Sequence, residues 1–119
     1  MKEENAVRDK SKEFALRIIG LYKFLTASAV EREYIISKQV LRSGTSIGAN
    51  VREALRGQST ADFHSKMNIS LKEASETQYW LELLHESGYI DEKAYQSIIA
   101  DNVELIKILT KIVKNTAAN

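Results

Sequence analysis

Cysteine and proline are absent from the chain, and glycine occurs only five times in 119 residues. Without cysteine, neither a disulfide framework nor a thiolate metal site can form, and a reducing compartment is favoured. Without proline, no residue breaks a helix by removing a backbone donor. The sequence is rich in Ala, Leu, Ile, Glu and Lys, which suit helices. We therefore predict an all-α protein.

Long apolar runs and a strong excess of one charge are lacking too. No run approaches the roughly 20 apolar residues of a membrane-spanning helix. The N-terminal sequence MKEENAVRDKSKEF is charged and lacks the apolar segment of a secretory signal. We expect a cytoplasmic protein without a membrane partner, folded as a single domain over residues 1–119.

The formal net charge of +1 is too small for the overall field to attract a polyanion. The charge is unevenly distributed, because residues 1–58 carry a net +4 and residues 59–119 a net −3. The two halves could pair with each other, or give an oligomer two faces of opposite sign.

Apolar residues recur with the period of amphipathic helices and predict four of them. The predicted bounds are about residues 10–27, 33–56, 60–87 and 91–115. Ser11 and Asp91 are candidate N-caps of the first and fourth helices, and Gly57 and Gly88 end the second and third. The short connection at Gly57 makes the second and third helices antiparallel neighbours.

The centre of the second helix, LRSGTSIGAN, contains few good helix formers. Gly44 and Gly48 would each weaken an isolated helix by up to about 1 kcal/mol. Their spacing puts them on one face, so we expect another helix to approach closely there. A phosphate-binding glycine loop is the alternative, but the spacing fits neither glycine-rich phosphate motif.

The third helix carries two carboxylates, Glu73 and Glu76, in an apolar pattern wider than one core requires. We expect Tyr79, Trp80 and Leu83, which belong to this surplus apolar surface, to contact another chain. The sequence therefore predicts a homo-oligomer. Leu16, Ile19 and Phe24 lie off the apolar stripe of the first helix and indicate a second contact surface.

A polar row on the second helix complements these carboxylates, since a buried carboxylate needs a partner and arginine can bind it with two hydrogen bonds. We expect Arg42 and Asn50 to face the two glutamates across the bundle or an oligomer interface. The predicted polar network comprises Arg42, Ser46, Asn50, Glu53, Glu73 and Glu76. The alternative is a solvated charged face without fixed partners.

Candidate catalytic residues are few. Glu82 and His85 have the Glu-x-x-His spacing of dimetal bundles, but the motif occurs once, and His64 has no glutamate three residues before it. No nucleophile motif is present. We predict neither a catalytic site, a metal site nor a cofactor, and a metal-dependent enzyme stays as an alternative.

Cations of the first two helices are the candidate contacts to nucleic acid. They are Arg17, Lys38, Arg42, Arg52 and Arg56. Phosphate contacts are additive, so copies in a ring could bind where one subunit would not. No aromatic residues interleave with these cations as in single-strand binders, so a merely solvated surface is the alternative.

The segments RSGTSIGANVREA at residues 42–54 and DFHSKMNISLKEASETQYWLELL at residues 62–84 resemble the four-helix-bundle proteins encoded by intervening sequences within bacterial 23S ribosomal RNA genes. The likeness extends to FALRIIGLYKFL in the first helix. It implies a left-handed, antiparallel up-down-up-down bundle that assembles as a ring-like homopentamer without known catalysis. That family is similar to the accessory proteins of diversity-generating retroelements, which form pentameric barrels and bind nucleic acid and a reverse transcriptase.

The resemblance also extends to single positions. The recurring ones are Arg42, Ser43, Ser46, Ile47, Asn50, Glu53, Glu73, Glu76, Tyr79 and Trp80. Arg52 adds a charge where relatives commonly have alanine. The expected function is a non-catalytic, homo-oligomeric binding module for RNA, a ribonucleoprotein or a nucleic-acid-processing protein. The alternative is a protein-interaction scaffold that does not touch nucleic acid.

Overall fold

The structure, a computed structural model, describes residues 2–27 and 32–117, and these residues form helices and no strand. The helices are α1 (Lys2–Ala27), α2 (Ile36–Leu55), α3 (Thr60–Glu86) and α4 (Glu92–Ala117). Each packs against its neighbour in sequence, and α1 also packs against α4. The bundle measures 51 × 21 × 19 Å. The predicted all-α class with four helices is confirmed.

The apolar stripes of the four helices meet in one continuous core. Its largest fully buried side chains include Phe14, Ile18, Ile47, Met67, Leu81, Leu84, Leu105 and Leu109. Fully burying one such side chain contributes about 1.5–3 kcal/mol, so the stripes hold the helices together. None of the helices in the described parts of the chain combines the length and the hydropathy that a membrane span requires.

The N-terminal helix is longer than predicted, since α1 begins at Lys2 instead of residue 10. Val7 is fully buried and continues the core stripe of Phe14 and Ile18 towards the N-terminus. Ser11 is buried inside the helix, where its hydroxyl donates to the Arg8 carbonyl at 3.1 Å. The prediction of Ser11 as an N-cap was wrong because the apolar stripe extends past it.

The start of α2 also differs from the prediction, because Glu33 lies before the helix. The buried Glu33 carboxylate accepts the backbone N–H groups of Ile35, Ile36 and Ser37 at 3.2, 3.1 and 2.6 Å. The first N–H groups of a helix have no acceptor inside it, and a negative charge there is favoured by the helix dipole. Glu33 therefore caps α2 from outside.

The other helix ends lie close to the predicted ones. The Ser59 side chain caps α3 by accepting the backbone N–H of Asp62 at 3.0 Å. Asp91 caps α4 by accepting the N–H of Ala94 at 2.8 Å. Gly88 follows α3 with a φ of 87°, a left-handed conformation that favours glycine.

Ion pairs join the two halves of the sequence within one chain. Lys10 pairs with Glu104, and Arg17 pairs with Asp101. Further along the same helix contact, Glu3 pairs with Lys111 at 3.1 Å. The first two pairs each match a cation of the basic half with an anion of the acidic half, which is one of the two arrangements predicted from the charge distribution.

Gly44 and Gly48 lie where α2 approaches α1. A Cβ atom added at Gly44 would lie 2.8 Å from Cγ1 and 3.0 Å from Cγ2 of Ile18. One added at Gly48 would lie 3.3 Å from the backbone oxygen of Ser11. The prediction that another helix approaches these glycines is confirmed, and that helix is α1.

Polar side chains inside the core form hydrogen bonds between helices. The Thr77 hydroxyl donates to Ser43 Oγ at 2.8 Å, and the Ser70 hydroxyl donates to the carbonyl of Ile47 at the same distance. Across the α3–α4 contact, the amide of the fully buried Asn102 donates to the Ala74 carbonyl at 3.0 Å. These bonds have defined partners, so they favour one register between the helices.

Gly44→Ala should destabilise the fold by about 1–3 kcal/mol, because overpacking at Ile18 outweighs the gain in helix propensity. Gly20 is the matched control, since it lies in α1 with nothing within 4 Å of an added Cβ. Gly20→Ala should stabilise by about 0.5–1 kcal/mol. Urea unfolding at fixed protein concentration measures both changes. Equal stabilisation by the two substitutions would contradict the close approach at Gly44.

Candidate functional site

Arg42 extends from α2 and binds two carboxylates of α3. Its Nη1 donates to Glu73 Oε2 at 3.3 Å, and its Nη2 donates to Glu76. The two glutamates are three residues apart, which places them on neighbouring turns of one helix face. The structure thus brings together three of the residues that the sequence analysis singled out, with one guanidinium shared by two carboxylates.

The same carboxylate connects Arg42 to the aromatic residues of α3. The Trp80 indole Nε1 donates to Glu76 Oε2 at 2.9 Å. The Tyr79 and Trp80 ring centroids lie 5.2 Å apart, with the ring planes inclined at 59°. We call Arg42, Glu73, Glu76, Tyr79 and Trp80 the Arg42–Trp80 cluster. It joins α2 to α3 through charge-assisted hydrogen bonds that end on an aromatic pair.

The cluster lies at the surface, between the core and solvent. The side chains of Arg42, Glu73 and Glu76 are 50, 20 and 36 % exposed. Trp80 packs partly against the core, whereas Tyr79 is 54 % exposed. Solvent screens ion pairs of this exposure, so in an isolated subunit they stabilise the fold only modestly.

The other members of the predicted polar network make separate contacts. Within the described part of the chain, the Asn50 amide donates to the Ser46 carbonyl one turn earlier at 2.9 Å. The Ser46 hydroxyl likewise donates to the Arg42 carbonyl at 2.6 Å. Glu53 pairs with Lys66 at 3.1 Å. The placement of Asn50 opposite the glutamates at an oligomer interface stays a prediction.

The candidate nucleic-acid contacts do not form one group. Arg17 faces α4, where its guanidinium binds Asp101 at 2.5 Å and Ser97 Oγ at 3.0 Å. Lys38 and Arg52 on α2 and Arg56 at its C-terminal end are exposed, and no carboxylate of residues 2–27 or 32–117 pairs with them. Lys38 lies about 21 Å along the helix from Arg52.

A second group of titratable residues, which the sequence analysis did not identify as a group, joins the end of α3 to the start of α4. The His85 and Tyr95 rings stack with centroids 4.1 Å apart and planes inclined by 5°. His85 Nε2 also lies 3.3 Å from Glu92 Oε1. Burial, and then the charges of Glu82, Glu86 and Glu92, raise the pKa of Tyr95 above that of a free phenol.

This second group was only partly visible in the sequence. Glu92 and Tyr95 are one turn apart at the start of α4. Gly88 marks the short connection between α3 and α4, which brings this turn next to His85 at the end of α3. The predicted Glu-x-x-His pair gains no further ligands, since no group of three or more His, Asp or Glu in the part of the chain that the structure describes is placed to hold a metal ion.

Comparisons with known proteins assign the chain to a family. The sequence model of the 23S rRNA-intervening sequence protein family matches residues 3–111. The fold is similar to the crystal structure of a protein of unknown function from the S23 ribosomal protein family of Bacteroides thetaiotaomicron, with a TM-score of 0.90. The two sequences are 56 % identical over 94 % of this chain and 98 % of the other. No curated protein matched the chain.

A double-mutant cycle with Arg42→Met and Glu76→Gln should give a coupling energy of about 0.5–1 kcal/mol in urea unfolding, because the pair is half-exposed. The Lys10–Glu104 pair is the control, with side chains that are 43 and 54 % exposed. Its coupling should be smaller, since a lysine ammonium is a flexible point charge, whereas the planar Arg42 guanidinium binds two carboxylates in a fixed geometry. Zero coupling between Arg42 and Glu76 would show that the contact does not stabilise the fold.

Proposed function

The chain belongs to the 23S rRNA-intervening sequence protein family, and we propose that it is a non-catalytic, homo-oligomeric binding module whose ligand is RNA or a ribonucleoprotein. The repeating unit is a single four-helix-bundle domain over residues 1–119 that acts in the cytoplasm without a cofactor. The observation that carries the RNA assignment is that Lys38, Arg52 and Arg56 pair with no carboxylate among residues 2–27 and 32–117.

The availability of each cation decides how well it can bind phosphate. Lys38, Arg52 and Arg56 lie exposed and without an ion-pair partner among the described residues, so phosphate would displace only mobile counterions from them. Arg17 and Arg42 already bind carboxylates, which a phosphate would first have to replace. RNA binding is therefore assigned to the three unpaired cations in preference to the two paired ones.

The proposed subunit contact is the α2–α3 surface around the Arg42–Trp80 cluster. Tyr79 and Ile69 expose apolar surface on this side, and Leu83 lies half-buried one turn beyond Trp80. Covering the cluster would remove it from water and strengthen its ion pairs. An oligomer would also repeat the α2 cations in every subunit, so weak phosphate contacts would add up.

The proposed architecture is an antiparallel up-down-up-down bundle with a left-handed twist, assembled into a ring of five. Ion pairs that join early α1 to late α4, and later α1 to earlier α4, support the antiparallel order. The subunit number rests on the resemblance to the pentameric accessory proteins of retroelements.

A protein-interaction scaffold is the second candidate function. Leu16 and Phe24 on α1 are 60 and 65 % exposed. Large exposed apolar side chains favour contact with another protein. A protein partner that remains bound after nuclease treatment and in high salt would favour the scaffold over the RNA-binding module.

Light scattering of the wild-type protein should give a mass near five times 13.5 kDa. Tyr79→Asp should shift the protein towards monomers, because it places a carboxylate beside Glu76 in the proposed contact. Thr110→Asp introduces the same charge at an exposed position of α4, outside the proposed contact surfaces, and should leave the mass unchanged. A monomeric wild type would refute the oligomer.

The wild-type protein should retard structured RNA in a native gel, and raising the salt from about 50 to 200 mM should weaken binding by at least tenfold. Lys38→Glu should reduce the affinity for RNA, because it replaces a proposed phosphate-binding cation with a carboxylate. Lys93→Glu on α4 makes the same change in net charge and serves as the control. No retardation of structured or single-stranded RNA at low salt would exclude RNA as the ligand.

A further inference from the structure

Two surface grooves meet at Arg52. The first lies between α1 and α2, has a volume of about 200 Å³, and is lined by residues that include Arg8, Lys12, Ala15, Gly48, Ala49 and Arg52. The second, of about 550 Å³, lies where α2 ends and α3 begins, and is lined by Arg52, Glu53, Arg56, Asp62 and Lys66. Arg52 therefore connects two grooves on the outer surface of the bundle.

The cations of these grooves differ in their availability. Arg8 binds its neighbour Asp9, and Lys66 binds Glu53. Lys12, Arg52 and Arg56 are exposed and form no ion pair with any carboxylate of the described ranges 2–27 and 32–117. The first comes from α1, and the other two are one turn apart at the end of α2. Three available positive charges thus follow one path across two helices.

The lining of the grooves restricts the kind of ligand. Neither lining includes an aromatic residue, so neither groove offers the aromatic stacking platform that is typical of single-strand binders. Neither includes a large aliphatic side chain, whereas the centre of a protein interface is usually apolar. What they offer is a shallow surface on which five cations outnumber the two carboxylates, Glu53 and Asp62, and such a surface suits a regularly charged backbone whose bases are turned inward.

We propose that the two grooves bind the phosphate backbone of base-paired RNA, with Lys12, Arg52 and Arg56 as the phosphate contacts. The proposal rests on the RNA-binding function proposed above and adds the site and the class of RNA. Double-stranded RNA presents phosphates and 2′-hydroxyls while its bases remain paired, so it needs cations and no stacking platform. Binding at this site is insensitive to sequence, since phosphate contacts carry no base information.

Fluorescence anisotropy with three probes tests this assignment: a labelled RNA hairpin, an unstructured single-stranded RNA of equal length, and poly-glutamate. The wild type should bind the hairpin most tightly. The triple variant Lys12→Ala, Arg52→Ala, Arg56→Ala should bind the hairpin at least tenfold more weakly. The slope of log affinity against log salt should fall by about 1 for each cation that the variant removes.

The matched control is the triple variant Lys23→Ala, Lys72→Ala, Lys93→Ala. These lysines are also exposed and form no ion pair with the described residues, and the change in net charge is the same. The control should bind the hairpin like the wild type. Circular dichroism of both variants should match the wild type, because all six side chains lie outside the core.

The other outcomes distinguish an error in the assigned site from a failure of the proposed RNA-binding function. If the hairpin binds the wild type and the groove variant equally well, the site is wrong and the RNA-binding function stands. If single-stranded RNA binds as tightly as the hairpin, the class of RNA is wrong. If poly-glutamate binds as tightly as the hairpin, the grooves select negative charge alone, which overturns the assignment to RNA. If no RNA binds at low salt, the proposed function itself fails.

Discussion

The close packing of α2 on α1 determines the rotation of α2, and through it the surface of the molecule. A Cβ at Gly44 would press on the Ile18 side chain and one at Gly48 would be tight against the Ser11 backbone, so this face of α2 suits the close contact with α1. The face with Ser43 then turns towards α3, where it bonds to Thr77. What remains outward is the sector of α2 that bears its cations. Two glycines in one helix contact thus place the charges that a ligand would meet.

Hydrogen bonds inside the core add specificity to the apolar packing. Hydroxyls link α2 to α3, and the Asn102 amide links α4 to α3. The Asn102 Oδ1 atom is buried without a partner among the residues described, which costs about 1–3 kcal/mol. A leucine would avoid that cost. The hydrogen bond from the amide to the Ala74 carbonyl favours one α3–α4 register, as single buried polar residues do in coiled coils.

Local and periodic features of the sequence were sufficient to predict the four helices, their core stripes and the cap Asp91. The pairing of Arg42 with the two glutamates followed from complementary charge on facing helices. The cap at Glu33 and the burial of Val7 could not be predicted in this way, because each depends on where the folded chain places a residue with no local signal. Arg17 is neutralised by Asp101, which lies on α4, so this ion pair also depends on the tertiary structure.

The Arg42–Trp80 cluster contains one guanidinium and two carboxylates, so it carries one negative charge that Arg42 leaves uncompensated. Symmetry makes this charge important. In a two-fold dimer formed through this face, each cluster would oppose its own copy, and the uncompensated charges would repel each other once desolvated. In the proposed ring of five, the face would instead meet a different surface of the next subunit. For the proposed oligomer, the charge of three side chains thus favours a contact between unlike surfaces over a face-to-face pair.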